Sequence, residues 1–178
     1  MVCLGVEWFF LCLKNRLMFW QKLSCIFLVT SYLTLALIWI FQYLSTSEGW
    51  KLMYWLLFLV WSTDTIAYAM GRLLKGPKLA PSISPNKTWS GFIAGMIGGT
   101  AVGYETSFWL FPGVFNFVGV MLLVLVAQGG DLLESMVKRW SRVKDSGFLI
   151  PGHGGFLDRL DSFLAVSFAL ALWQICHL

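Results

Sequence analysis

A glycine-rich polar segment, residues 144–161, carries residue types that suit phosphate and metal chemistry. Four glycines fall within nine of its residues and leave backbone N–H groups free to approach an anion. Asp158 and Asp161 follow at a spacing of three, which points both carboxylates the same way on a helix. Since Mg²⁺ is commonly held by one or two carboxylates plus substrate phosphates, the pattern predicts a metal and anion site rather than a plain charged turn.

A polar stripe lies just before this segment, on a predicted amphipathic helix. Asp131, Ser135, Lys138, Arg142 and Asp145 recur every three or four residues and share one helix face. By itself the stripe is equally typical of a helix that lies on the membrane interface with its basic face toward lipid headgroups.

Asp64 is an ionisable residue within an apolar part of the sequence. It precedes Gly71, at the predicted cytoplasmic end of its helix, by seven residues, or roughly 10 Å. A charged side chain at the bilayer centre costs at least ~2.5 kcal/mol, which indicates a functional site, with a structural hydrogen bond as the alternative. Asp64, Tyr68 and Gly71 share one helix face, which Lys75 extends.

Membrane-spanning helices are expected to position these residues. The 178 residues are 58% hydrophobic and only 12% charged, which excludes both a soluble globular domain and a disordered chain. Charge-free runs cover 23–47, 52–63, 88–104, 106–130 and 162–178. Because a span takes about 20 residues, we expect an all-α polytopic transmembrane bundle of roughly five spans, or six if residues 1–13 insert.

Glycines in the third run predict how its helix packs. Gly91, Gly95, Gly99 and Gly103 recur every fourth residue and form one ridge. Such ridges let helix backbones approach closely in lipid, so this one predicts a helix contact rather than a ligand site.

The basic residues predict the topology. Lys and Arg concentrate before the first run and in segments 72–89 and 131–161. The positive-inside rule places these segments in the cytoplasm and residues 46–51 outside. We therefore expect residues 1–178 to form a single polytopic membrane domain with two functional cytoplasmic loops. The net charge of +4 then reflects topology, and no nucleic-acid partner is expected.

The motifs in these two segments resemble the signature of the phosphatidate cytidylyltransferases, also called CDP-diacylglycerol synthases. The first stretch reads Trp61-x-x-Asp64-x-x-Ala67-Tyr68-x-x-Gly71-Arg72, then Leu79-x-Pro81-x-Ile83-Ser84-Pro85-x-Lys87-Thr88-x-x-Gly91. The second reads Ser135-x-x-Lys138-Arg139-x4-Lys144-Asp145-x5-Pro151-Gly152-His153-Gly154-Gly155-x-x-Asp158-Arg159-x-Asp161. The resemblance covers a catalytic region of about residues 61–162, with Ser90 where the family usually has Glu or Gln. The chain is also expected to lack N-terminal spans that longer members have.

The resemblance implies that phosphatidic acid attacks the α-phosphorus of CTP and yields CDP-diacylglycerol and pyrophosphate. Mg²⁺ or Mn²⁺ would be held by Asp131, Asp158 and Asp161. Further catalytic residues would be Lys144, Asp145, His153 and Arg159, although a structural hydrogen bond suits His153 equally well. Phosphate and hydroxyl contacts are expected from Ser84, Lys87, Thr88, Ser135, Lys138, Arg139, Gly154 and Gly155. Asp64 is expected to support the site.

The expected partners are CTP, phosphatidic acid and the lipid bilayer, and a homodimer stays open. The expected location is the bacterial inner membrane, with the site facing the cytoplasm. Two other functions remain alternatives. A CTP-dependent polyprenol or lipid kinase would share the basic loops and metal carboxylates. A transporter could use Asp64 as a coupling site, but transporters usually show internal repeats, and none is visible in the sequence.

Overall fold

The computed structural model describes residues 19–140 and 157–176 of the chain. Within them lie helices α1 (Phe19–Leu44), α2 (Gly49–Leu74), α3 (Trp89–Leu110), α4 (Phe117–Trp140) and α5 (Leu157–Cys176). Each helix contains most or part of one predicted charge-free run. The predicted all-α polytopic fold class is therefore confirmed.

Three of the described helices are long and apolar enough to cross a membrane. The qualifying segments are Phe27–Leu44, Gly49–Leu74 and Phe117–Arg139, and α5 carries a shorter apolar segment, Leu160–Cys176. A helix of about 20 mostly apolar residues spans the hydrocarbon core. The protein is accordingly an integral membrane protein.

The glycine ridge packs α3 against α2, as the sequence predicts. All four glycines are buried. A Cβ atom built at Gly91 would lie 2.6 Å from the carbonyl oxygen of Ala67, and one built at Gly103 would lie 2.7 Å from Leu59 Cδ1. At Gly91 the neighbour is a backbone atom of α2, so the two helices approach more closely there than any side chain would allow.

The predicted run 106–130 is divided between two helices. Helix α3 ends at Leu110 and α4 begins at Phe117. Between them, Gly113 adopts a φ of 80°, a conformation that favours glycine. Asn116 Oδ1 then accepts a hydrogen bond from the Gly119 N–H at 2.6 Å and so satisfies a free donor of the first turn of α4.

At its other end, α4 continues without interruption through Asp131 to Trp140. The polar stripe is predicted to lie on an amphipathic helix, and its first residues, Asp131 to Lys138, form the last turns of α4. The stripe therefore begins on the same helix as the apolar span, and its position on the cytoplasmic side stays a prediction.

A small antiparallel hairpin follows α2, which the sequence analysis did not predict. Strands β1 (Lys78–Ala80) and β2 (Ser84–Thr88) pair with Lys78 opposite Thr88 and Ala80 opposite Ser84. Pro85 lies within β2, and it is tolerated because both strands of a two-stranded hairpin are edge strands. The Trp89 N–H donates to the Pro77 carbonyl at 2.9 Å, which joins the base of the hairpin to the start of α3.

Candidate functional site

A cavity of about 860 Å³ lies between α2, α3, α4 and the hairpin. Its charged lining residues are Asp64, Arg72, Lys75, Lys78, Lys87 and Asp131. Ligand sites in proteins typically measure about 300–1,000 Å³, so this cavity is large enough for a nucleotide or a lipid headgroup. The basic segment 72–89 and Asp131, the first residue of the polar stripe, thus meet at one place.

The central contact of the cavity is an ion pair between β2 and α4. Lys87 Nζ lies 2.6 Å from Asp131 Oδ2, and about a third of each side chain is exposed. Both residues are predicted site residues, Lys87 as a phosphate contact and Asp131 as a metal ligand. Their pairing shows that the hairpin holds Lys87 directly against α4.

Asp64 reaches the same cavity from α2 and is exposed to it. Asp131, Asp161 and Lys87 lie close enough to interact with it electrostatically. The sequence predicts that Asp64 pairs either with a basic residue or with a metal held mainly by Asp131. Among the described residues no ion pair joins Asp64 to a basic side chain, and Lys87 is bound to Asp131. Asp64 therefore forms part of the cavity wall, and its supporting role stays a prediction.

Glu134 is a site neighbour that sequence analysis did not assign. Its side chain is only 3% exposed, and its Oε1 lies 3.4 Å from Lys138 Nζ, one turn farther along α4. Asp161 of α5 interacts with both residues. A buried carboxylate is stable only when it is paired, and Lys138 supplies the positive charge beside Glu134. Its position one turn after Asp131, on the same face of the helix, is the sequence feature that could have identified Glu134 as a site residue.

Thr88 and Ser90 build the junction between the hairpin and α3. Thr88 Oγ1 accepts a hydrogen bond from the Gly91 N–H at 3.1 Å and caps the helix. Ser90 Oγ accepts one from the Gly76 N–H at 3.3 Å and lies 3.1 Å from Thr88 Oγ1. A Cβ atom at Gly71 would approach Thr88 Oγ1 to 2.8 Å. Thr88 lines the cavity, but its hydroxyl already serves as a helix cap.

Arg139 attaches the hairpin turn to α4. Its Nε donates a hydrogen bond to the Ile83 carbonyl at 3.2 Å. Ser84 begins β2 and does not line the cavity, while Ser135 is half-buried on α4. Of these three predicted substrate contacts, none lines the cavity.

The remaining predicted residues are only partly covered by the structure. Lys144, Asp145, His153, Gly154 and Gly155 lie outside the described residues. Asp158 and Arg159 lie in the first turn of α5, and only their backbone is described.

The predicted metal site of Asp131, Asp158 and Asp161 stays a prediction, because the side chain of Asp158 lies outside what the structure describes. Among the described residues, no group of three or more His, Cys, Asp or Glu side chains is arranged to hold a metal ion. Asp64 and Asp131 nevertheless supply hard oxygen atoms to one cavity, and Mg²⁺ usually needs only one or two protein carboxylates. The donors present fit such an ion.

Comparison with known proteins gives consistent results. Residues 1–176 match the model of the cytidylyltransferase family. A phosphatidate cytidylyltransferase of Brucella abortus biovar 1 is 50% identical over 127 residues, which cover 70% of this chain and 47% of the relative. A protein of the same name from Rickettsia typhi is 42% identical, over 68% of this chain and 58% of the relative. Another, from Staphylococcus aureus (strain COL), is 40% identical, over 86% of this chain and 59% of the relative. The chain thus spans about half the length of the curated relatives that it matches.

Proposed function

The chain belongs to the cytidylyltransferase family, and on that premise we propose that it acts as a CTP:phosphatidate cytidylyltransferase in phospholipid biosynthesis. The observation that carries the proposal is the Lys87–Asp131 ion pair on a cavity that also contains Asp64 and three further cations. Such a cavity supplies positive charge for the phosphates of two substrates and carboxylates that could hold a metal ion. The curated relatives bear the name of this activity.

In the proposed reaction, a phosphate oxygen of phosphatidic acid forms a new bond to the α-phosphorus of CTP. The bond between that phosphorus and the bridging oxygen to the β-phosphate breaks, and pyrophosphate leaves with the electron pair. The two substrates are both anions, so they repel each other unless cations lie between them. Positioning and charge neutralisation are therefore the main tasks of the protein.

Lys87 is placed for this task because it is only partly exposed and lies within the cavity. Its ammonium group can leave Asp131 and donate to a phosphate oxygen, a charge-assisted bond about twice as strong as a neutral one. Asp131 would then be free to hold a metal ion, so that nucleotide binding and metal binding would depend on the same pair of residues.

We further propose that Asp131, with Asp158 and Asp161, holds Mg²⁺ or Mn²⁺. A divalent ion bound there would neutralise phosphate charge and polarise the α-phosphate. The hard carboxylate oxygens of Asp64 and Asp131 on the cavity support this assignment. Asp64 would contribute negative charge that offsets the cluster of cations.

The proposed location is the bacterial inner membrane, with the cavity facing the cytoplasm. The basic segment 72–89 supplies all four cations that line the cavity, and basic loops lie on the cytoplasmic side. CTP would enter from the cytosol, and phosphatidic acid would enter laterally from the bilayer. A homodimer stays a prediction.

A labelling assay tests the activity. Purified protein receives phosphatidic acid, Mg²⁺ and CTP labelled at either the α- or the γ-phosphate, with diacylglycerol as a control lipid that lacks the phosphate. Cytidylyl transfer places only the α-label in the lipid, and EDTA abolishes it until Mg²⁺ or Mn²⁺ is returned. Transfer of the γ-label to a lipid would instead identify a kinase, and absence of label from the lipid would contradict the proposal.

A further inference from the structure

Arg72 and Tyr68 form a polar pair on the cavity that the mechanism above does not use. They lie one turn apart near the end of α2, and both line the cavity. Arg72 Nη1 donates a hydrogen bond to the Tyr68 hydroxyl oxygen at 2.9 Å. Among the described residues, Arg72 has no carboxylate partner, and neither do Lys75 and Lys78 of the same cavity.

The surroundings of this pair are apolar and outward-facing. Tyr68 is 68% exposed, and the neighbouring Leu73 and Leu74 are 73% and 60% exposed. All of them belong to the last turns of a helix that is apolar enough to span the membrane and that ends at Leu74. A basic residue at the end of such a helix lies at the depth of the lipid headgroups.

Arg72 is also the cavity cation best shaped for a phosphate. A guanidinium presents five N–H donors in a planar fork, and it binds phosphate through two parallel hydrogen bonds. The Tyr68 hydroxyl takes one donor and fixes the orientation of the group. The other donors remain for a ligand in the cavity.

We propose that Arg72, oriented by Tyr68, binds the phosphate of the lipid substrate on the α2 wall of the cavity. This inference rests on the proposed function, since it assigns one of its two substrates to a subsite. The nucleotide then belongs with Lys87 and Asp131, which β2 and α4 supply. Exposed Leu73 and Leu74 lie where the acyl chains of a bound lipid would begin.

Direct binding separates this subsite from the activity. The full chain in a neutral detergent with Mg²⁺ is titrated with dihexanoyl phosphatidic acid, dihexanoyl glycerol or CTP, and the dissociation constants are measured by calorimetry. Arg72→Gln should weaken phosphatidic acid binding at least ~10-fold and leave CTP binding unchanged, since a lost hydrogen bond to a charged group has about this effect. Dihexanoyl glycerol should bind weakly to both proteins.

Three further variants sharpen the test. Tyr68→Phe keeps the ring but frees the guanidinium, so it should weaken phosphatidic acid binding by a smaller factor. Arg72→Lys keeps the charge without the fork and should fall between the wild type and Arg72→Gln. Lys51→Gln, a cation outside the cavity, should change neither dissociation constant. In turnover, Arg72→Gln should raise KM for the lipid and not for CTP.

Each outcome has a distinct meaning. Unchanged phosphatidic acid affinity in Arg72→Gln, or an equal loss of CTP affinity, overturns the lipid subsite even if the wild type is active. Arg72-dependent lipid binding by a wild type that makes no CDP-lipid contradicts the proposed function alone. If Arg72→Gln fails to fold, unchanged lipid affinity in both Tyr68→Phe and Arg72→Lys overturns the subsite.

Discussion

At the scale of single residues, the site depends on an ion pair that is neither fully buried nor free in solvent. Lys87 and Asp131 each keep about a third of their side chain exposed. A pair that is partly exposed contributes little to stability, commonly under ~1 kcal/mol. The Lys87–Asp131 ion pair is therefore better suited to opening when substrates bind than to stabilising the fold.

Loss of either charge should reduce turnover more than stability. Lys87→Met and Asp131→Asn should each lower kcat/KM roughly 100-fold or more, because each removes a charge from the transition-state environment. The double variant should be little worse than the poorer single one, since residues that act as a unit are strongly non-additive. Steady-state kinetics with CTP and phosphatidic acid measure all three.

Lys51→Gln is the control for this prediction. Lys51 pairs with exposed Glu48 and lies outside the cavity, so its loss should leave kcat/KM near the wild-type value. Fully additive losses in the double variant would show that Lys87 and Asp131 act separately. Near-normal turnover in either single variant would exclude that residue from the site.

At the scale of elements, one helix and one hairpin bring the polar residues together. Helix α4 is a membrane-spanning helix whose last turns carry Asp131, Glu134 and Lys138. The hairpin is held at its turn by Arg139 and at its base by Trp89. Both connections use backbone carbonyl oxygens as acceptors, so they position Lys87 without using its ammonium group or the carboxylate of Asp131.

Close contact between α2 and α3 should depend on the glycine ridge. Gly91→Ala places a Cβ atom 2.6 Å from the Ala67 carbonyl oxygen, a backbone atom that no rotamer change can move. We expect the helices to separate, the cavity to distort, and unfolding free energy to fall by roughly 1–3 kcal/mol, as overpacking usually costs. The thermal unfolding midpoint in detergent measures the change.

Gly129→Ala provides the matched control because it also lies within a helix. A Cβ atom there meets nothing within 4 Å, so the substitution should leave the midpoint unchanged or raise it slightly. An unchanged midpoint in Gly91→Ala would mean that α2 and α3 tolerate a wider separation than the structure indicates.

At the scale of the whole molecule, apolar surface faces outward along the helices and the polar cavity lies near their ends. Large hydrophobic side chains such as Phe41, Trp61 and Trp109 are more than half exposed. In a soluble protein such a surface would cause aggregation, but a bilayer covers it. A charged cavity near the ends of apolar helices suits the proposed reaction, which brings together a lipid and a water-soluble nucleotide.

The topology can be tested by single-cysteine labelling of a cysteine-free variant. Ser82, in the hairpin turn, and Ser47, between α1 and α2, are both exposed. The positive-inside rule predicts that an impermeant maleimide labels Ser47→Cys in intact cells and labels Ser82→Cys only after the membrane is opened. Labelling of Ser82→Cys in intact cells would place the cavity outside and remove its access to cytosolic CTP.

Much of this organisation could be predicted from the sequence. Charge-free runs predicted five helices, the four-residue glycine repeat predicted close packing, and the motif resemblance is confirmed by the family match. These features are local or periodic, so they can be read without knowing distant contacts. The hairpin was missed because Pro81 and Pro85 made residues 78–88 resemble an irregular loop.

The sequence by itself determined which segments are helical and which family the chain belongs to, because hydropathy, small-residue spacing and motifs are properties of neighbouring residues. Only the tertiary structure decided that Lys87 pairs with Asp131, that Thr88 caps a helix, and that Glu134 is buried. Lys87 and Asp131 belong to different elements, and their distance depends on how α2, α3, α4 and the hairpin pack. Such packing follows from side-chain shape over the whole interface, which no local pattern in the sequence records.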